Sequence, residues 1–270
     1  MIKTGVIGFP IEHSKSPLIH GYWLKKYSIS GSYDKFAIEP SHLKEGVQRL
    51  VDAGLSGFNV TIPHKQTIMD LCCSLTESAQ KIGAVNMVSV REDRTLEGDN
   101  TDSFGFAQNV RETLPDFDLI GKTALVLGAG GAARAVIDAL YTLGASRIAV
   151  VNRTAEKAQE LARSFSCEAG EWDLRNDLVG RVDFIVNTTS LGMKGQAPLE
   201  IDLSAAHENV AVADIVYAPL ETELLRQASG RGLQTITGIG MLLHQARPAF
   251  AKWFGVMPDV DAELQKLVLG

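Results

Sequence analysis

The stretch Thr123-Ala124-Leu125-Val126-Leu127-Gly128-Ala129-Gly130-Gly131-Ala132-Ala133-Arg134-Ala135 decides the fold. An apolar run of strand length enters a glycine-rich turn and leaves into a helical pattern over residues 132–143. Two glycines one residue apart are a weak signal alone, but between a strand and a helix they have the context a dinucleotide site requires. They allow a tight turn and a close approach of backbone to a pyrophosphate, which then faces the helix N-terminus. Ala133 stands where the third fingerprint glycine would be, a position that needs only a small side chain. Gly128, Ala129, Gly130, Gly131 and Ala132 are therefore candidate cofactor contacts.

The next strand, residues 147–151, ends in Asn152-Arg153-Thr154. An NAD site would carry an acidic residue here, roughly 20 residues beyond the glycines, to take the ribose 2′-hydroxyl. There is none. Arg153 can instead form a charge-assisted bidentate contact with a 2′-phosphate, and Asn152 and Thr154 can add neutral hydrogen bonds, so the sequence predicts NADP. Thr154 can cap the following helix at the same time. Further strands over 182–186 and 209–214 end in the polar, glycine-bearing Asn187-Thr188-Thr189-Ser190-Leu191-Gly192-Met193 and in Ile215-Val216-Tyr217-Ala218-Pro219. After a strand at 234–237, Gly238-Ile239-Gly240-Met241 opens a helix that runs through Gln245 towards Phe254, and residues 259–269 form an amphipathic, helical tail.

Upstream, strands at 4–7, 33–38 and 57–62 alternate with helical patterns from residue 18 and over 41–53, the latter with Ser41 at its cap. Alternation of this kind implies βαβ units and a parallel sheet. Within it, Asn59-Val60-Thr61-Ile62-Pro63-His64-Lys65 stops at a proline, which cannot donate to a sheet ladder, and then delivers a lysine just past the strand end. Ligand crevices of open α/β sheets form there, and a helix start would push the lysine pKa down through the helix dipole, which suits a proton carrier. The plainer reading is a solvated lysine opening a surface helix. Ser14 and Ser16 follow the first strand; Ser16 ahead of Pro17 serves equally as a helix cap or as a ligand for a polyhydroxylated molecule. Asn86 interrupts the apolar run 84–90 and must find partners, structural or ligand-borne. Asp102, in Gly98-Asp99-Asn100-Thr101-Asp102, either caps the helix over 103–114 or presents its carboxylate to a ligand.

The composition fits this picture. With 270 residues, 45% hydrophobic and 21% charged, the chain is long enough for one large or two ordinary folded domains. A net charge of −6 without a basic block lacks the footprint of a nucleic-acid binder. Three cysteines without paired spacing suggest a reducing compartment, the N-terminus does not read as a signal peptide, and no stretch approaches a membrane span, so the expectation is a cytoplasmic protein. The six histidines show no metal-ligand spacing, and no metal is expected.

Taken in order, these landmarks resemble the NADP-dependent shikimate dehydrogenase family over essentially the whole chain. The resemblance rests on Ser14-Lys15-Ser16-Pro17, residues 59–65, Gly83-Ala84-Val85-Asn86, Asn100-Thr101-Asp102, residues 128–132, Asn152-Arg153-Thr154, residues 187–193 and Gly240-Met241-Leu242 with Gln245. It implies an α/β protein with a substrate domain over 1–102, a doubly wound Rossmann-type NADP domain over 103–238, and C-terminal helices over 239–270 returning to the first domain. It implies that Lys65 and Asp102 are the catalytic pair and that Ser14, Ser16, Thr61, Asn86, Tyr217 and Gln245 hold the substrate. NADP contacts would extend from the glycine loop and residues 152–154 to Lys157, Thr188, Ile215, Gly238 and Met241, with Glu77 near the nicotinamide. Ile215, where methionine is frequent, and Ser103-Phe104, where a glycine is frequent, depart from the family pattern.

The implied reaction is reversible reduction of 3-dehydroshikimate to shikimate in aromatic amino-acid biosynthesis. Lys65 would donate the proton to the carbonyl oxygen and Asp102 would hydrogen-bond the hydroxyl and the lysine. Two other readings stay open: a paralogue acting on quinate or another cyclic polyol, and a nucleotide-binding module with a dead site. A homodimer also stays open; nucleic-acid and membrane partners are not expected.

Overall fold

A computed structural model describes all residues from Met1 to Gly270. The chain divides into two units, Met1–Thr101 with Leu243–Gly270, and Asp102–Leu242.

The first unit is built on strands β1 (Ile2–Gly8), β2 (Gly31–Ala37), β3 (Gly57–Val60), β4 (Ser74–Leu75), β5 (Met87–Val90) and β6 (Leu96–Asp99), in the spatial order β2-β1-β3-β5-β6-β4. β1 pairs in parallel with β2 and β3, joined through the helices Ser16–Lys26 and Leu43–Asp52. β5 runs antiparallel to both β3 and β6. The sheet is therefore mixed, not purely parallel as the alternation predicts. The short connection between β5 and β6 can close only an antiparallel pair, because a parallel return needs a crossover of a dozen or more residues.

Ile7, Phe58, Val60 and Val88 from the sheet meet Val47, Leu50 and Ile68 in one core. A second, aromatic core fastens the C-terminal helices Ala246–Phe254 and Ala262–Leu269. There Trp23 stands edge-on to Phe250 at 5.4 Å and donates from Nε1 to the Asp259 carbonyl oxygen at 2.9 Å. Ser41 is not a helix cap: residues Pro40–His42 form a 3₁₀ turn, and the helix that follows has no side-chain cap bond.

The second unit has strands β7 (Thr123–Leu127), β8 (Arg147–Asn152), β9 (Glu168–Glu171), β10 (Phe184–Asn187), β11 (Ala211–Asp214) and β12 (Gln234–Ile236). All five pairings are parallel, in the order β12-β11-β10-β7-β8-β9. Numbered from one within this sheet, the order is that of a doubly wound Rossmann fold, and it reverses between β7 and β10. Alternation along β7 shows why the sheet is covered on both faces. Ala124 and Val126 enter one core with Phe106, Val136 and Leu140, while Leu125 and Leu127 enter the other with Val179, Leu224 and Leu225.

Candidate active site

Each unit carries its own set of candidate residues. In the first unit, β3 gives way after Val60 to a turn over residues 61–66. Thr61 N–H donates to the Ile7 carbonyl oxygen at 3.0 Å, and Phe9 N–H donates to that of Ile62 at 3.0 Å, which ties the turn to the end of β1. His64 is 1% exposed and its Nε2 lies 2.7 Å from the Ile38 carbonyl oxygen. A carbonyl oxygen only accepts, so Nε2 carries the hydrogen. On the other side the Lys65 carbonyl accepts from Val85 N–H at 2.7 Å. The backbone of Lys65 is thus clamped between a buried histidine and the segment leading into β5. No α-helix begins at the lysine: residues Thr67–Leu71 are a single 3₁₀ stretch. The helix-dipole effect expected at this position therefore has no α-helix behind it, since the macrodipole is a sum over aligned peptides.

Asn86 is buried directly before β5, and protein groups meet both ends of its carboxamide. Its Oδ1 accepts from Thr101 N–H at 2.9 Å, and its Nδ2 donates to Thr101 Oγ1 at 3.1 Å and to Gln245 Oε1 at 3.4 Å. Thr101 Oγ1 in turn donates to the Gln245 carbonyl oxygen at 2.7 Å. Behind Asn86, its carbonyl oxygen accepts from Asn59 Nδ2 at 3.1 Å, and Asn59 Oδ1 accepts from the Tyr33 hydroxyl at 2.7 Å. The Ser16 hydroxyl lies beside the same phenol, whose pKa burial pushes up. Ser16, Asn86 and Gln245, distant in sequence, are joined in this way through Tyr33, Asn59 and Thr101.

Ser16 is not the helix cap. Lys15 holds the cap position without a side-chain bond, and Ser14 Oγ accepts from Ser16 N–H at 3.3 Å. Glu77 opens the helix Glu77–Ile82, exposed, behind a Thr76 cap.

The second unit begins at Asp102, the first residue of the helix Asp102–Thr113. The next residue anchors that helix start: Ser103 Oγ donates to the buried Asp138 Oδ2 at 2.6 Å. Asp138 lies on the helix Gly131–Thr142, which rises from the glycine loop. Gly128 has φ +105°, a conformation L side chains rarely adopt, and a Cβ there would lie 2.7 Å from Thr189 Cγ2. A Cβ on Gly130 or Gly131 would meet nothing within 4 Å, so the loop presents open backbone at a helix N-terminus. Asn152 Oδ1 accepts from Ala129 N–H at 3.1 Å and its Nδ2 donates to the Thr154 carbonyl oxygen at 2.9 Å, so its amide shapes the loop. Arg153 and Thr154 are exposed just past β8, Lys157 is exposed on the first turn of the following helix Ala155–Phe165, and the Thr154 side chain makes no cap bond.

Thr188, at the end of β10, donates from Oγ1 to the Leu127 carbonyl oxygen at 2.8 Å. It thereby stitches together the two strand ends between which the order reverses, where dinucleotides bind in this fold. Asn187 and Asp214, 0% and 2% exposed, back this seam. Asp214 Oδ1 accepts from Asn187 Nδ2 at 3.0 Å and from Val216 N–H at 2.9 Å, and Oδ2 accepts from Thr222 Oγ1 at 2.7 Å. Burial raises the Asp214 pKa, with those donors pulling the other way. Burial likewise raises that of Tyr217. Gly238 packs on the strip after β11: a Cβ there would collide with the Ile215 carbonyl oxygen. Met241 packs half-buried against the core that Ile215 also borders.

The supporting residues Tyr33, Asn59, His64 and Asp214 escaped sequence reasoning. Their signal was a polar side chain within or bounding an apolar strand, the same signal that marked Asn86. No group of three or more His, Cys, Asp or Glu could hold a metal ion, and no helix is long and apolar enough to cross a membrane.

An open glycine loop at the reversal of a Rossmann sheet, with an arginine in place of an acid at the end of the next strand, fits NADP. It defines the class as an NADP-linked oxidoreductase. Three family models match the chain: the shikimate dehydrogenase substrate binding domain over residues 6–88, shikimate / quinate 5-dehydrogenase over 109–217, and the shikimate 5′-dehydrogenase C-terminal domain over 238–266. The chain belongs to the shikimate dehydrogenase family. It is 46% identical to shikimate dehydrogenase (NADP(+)) of Rhodospirillum rubrum, over 99% of this chain and 96% of the relative. Its fold matches the crystal structure of shikimate 5-dehydrogenase from Thermus thermophilus in complex with NADP(H) and shikimate, with TM-score 0.89 and 34% identity over 99% of this chain and 98% of that one. Quinate dehydrogenase from Corynebacterium glutamicum in complex with NAD also matches, with TM-score 0.92 and 30% identity over 99% and 98% of the two chains.

Proposed function

We propose that this protein catalyses the NADPH-dependent, reversible reduction of 3-dehydroshikimate to shikimate, in the cytoplasm, as a step of aromatic amino-acid biosynthesis. The observation that carries the reading is the hydrogen-bonded set Ser16, Tyr33, Asn59, Asn86, Thr101 and Gln245 in the unit that also holds Lys65. This is a polar floor suited to a polyhydroxylated acid. Family membership over nearly the full length supports it.

Bound NADPH would supply the hydride. The protein's own task is to hold the ring and to move one proton. Lys65, clamped through its backbone, donates a proton to the substrate carbonyl oxygen in reduction and accepts it back in oxidation. Asp102 hydrogen-bonds the same oxygen. Ser14, Ser16, Thr61, Asn86, Tyr217 and Gln245 orient the carboxylate and hydroxyls, which fixes the face the hydride meets. Gly128 to Ala132 would cradle the pyrophosphate and Arg153, with Thr154 and Lys157, would take the 2′-phosphate. Thr188, Ile215, Gly238 and Met241 would extend the NADP contacts, with Glu77 near the nicotinamide.

Kinetics with shikimate and with quinate, each with NADP and NAD, test the reading. Shikimate with NADP should give the highest kcat/KM, and a preference for quinate with NAD would replace it with the second reading.

A further inference from the structure

The buried carboxylate of Asp214 belongs to no candidate contact set, yet it is the meeting point of the polar groups around the sheet reversal. Its Oδ1 takes Asn187 Nδ2 and Val216 N–H, and its Oδ2 takes Thr222 Oγ1. Asn187 extends the arrangement: its Oδ1 accepts from Thr189 N–H at 3.0 Å and Thr189 Oγ1 at 2.7 Å, and its Nδ2 also donates to the Leu191 carbonyl oxygen at 3.0 Å. Thr189 in turn packs against Gly128, and its neighbour Thr188 bonds the Leu127 carbonyl oxygen. On the other side, Val216 is the link between Ile215 and Tyr217. We propose that Asp214 is a positioning residue for hydride transfer, one carboxylate that holds the glycine loop, the Thr188 seam and the segment from Ile215 to Tyr217 in a single register.

This rests on the function proposed above, in which those three pieces border the cofactor and substrate. Asn187 Nδ2, Val216 N–H and Thr222 O–H are all donors in these bonds, and the two acceptor oxygens of a carboxylate satisfy all three at once. Truncation would leave buried donors unpaired and free two loops to drift, and a displacement of about 1 Å at a reacting centre costs on the order of 100-fold in rate. Asparagine is a near-substitute. Its oxygen can face Asn187 and Val216, and its amide can donate to Thr222 Oγ1, reversing one bond and keeping the register.

The test compares Asp214→Ala, Asp214→Asn and Thr222→Val with the wild type. The readouts are turnover, the kinetic isotope effect with C4-deuterated NADPH, NADPH affinity by fluorescence titration, and thermal stability. Asp214→Ala should lose about 10–100-fold in kcat with a raised isotope effect, and its loss of NADPH affinity should be smaller than its loss in kcat. Asp214→Asn should stay within about threefold of wild type, and Thr222→Val should lie between. If Asp214→Ala does not fold, the Asn and Val variants decide. A lowered melting temperature with wild-type kcat and isotope effect would reduce Asp214 to a stability role. Equal damage from Asn and Ala, or an undamaged Thr222→Val, would also overturn the proposal. A wild type that binds NADPH but reduces no 3-dehydroshikimate would instead sink the proposed function.

Discussion

The Tyr33 hydroxyl donates to Asn59 Oδ1 across 2.7 Å, and the other end of that carboxamide holds the Asn86 carbonyl oxygen at 3.1 Å. The direction of the chain is set by its last member. A carbonyl oxygen only accepts, so Asn59 must turn Nδ2 towards it and Oδ1 towards Tyr33, which makes the phenol the donor. Tyr33→Phe keeps the ring stacked on His20, 4.0 Å away and nearly parallel, but leaves Asn59 Oδ1 buried and unpaired. The expected cost is about 1–3 kcal/mol of stability by urea unfolding, with a raised KM for shikimate and an unchanged KM for NADP.

His20 makes the first unit sensitive to acid. It is fully buried, neither ring nitrogen has a hydrogen-bond partner, and burial lowers its pKa from 6.5 to about 3. The unfolded chain binds a proton below pH 6.5 that the folded chain refuses. Stability is therefore fully present above pH 6.5 and falls as pH drops from there towards 3, by an amount on the order of a few kcal/mol. Urea unfolding at about pH 7 and about pH 5 should show the loss, and His20→Phe should flatten the slope.

Gly128 and Gly130 should separate folding from cofactor binding. Gly128→Ala forces a side chain into a left-handed backbone and against Thr189, so melting temperature and NADPH affinity should both drop. Gly130→Ala meets no protein atom within 4 Å and should leave the melting temperature unchanged. Its methyl group would stand on the surface the pyrophosphate approaches, so fluorescence titration should show weaker NADPH binding.

Arg153→Ser removes the charge expected to face the 2′-phosphate. A charge-assisted hydrogen bond is worth about 1.5–3 kcal/mol, so NADPH affinity should fall roughly 10- to 150-fold and NADH affinity hardly at all. Equal losses for both cofactors would remove Arg153 from this role.

Much of this was legible because the second unit obeys local rules. A strand, a glycine turn and a helix follow one another at residues 123–142, and the missing acid after β8 is a one-residue observation. The register of the first unit was less legible, because the hairpin of β5 and β6 is chosen by a short connection within an alternation that otherwise reads as parallel. Ser16 looked like a cap because Pro17 follows it, but the helix starts one residue earlier and Lys15 takes the cap position. Lys65 looked like a helix start because a proline precedes it, whereas buried His64 and the Val85 bond hold it in a turn. The hydrogen-bond chain from Tyr33 to Gln245 spans pairings far apart in sequence, and no local pattern announces such a chain.

Lys65 carries the proton in the proposed reaction. NADPH formation from NADP and shikimate, followed with purified wild type and Lys65→Ala, tests it most directly. The wild type should turn over shikimate with NADP, and the variant should lose turnover by orders of magnitude while its shikimate affinity changes little. A variant with near-normal turnover, or a wild type that binds NADP yet leaves shikimate unoxidised, would contradict it.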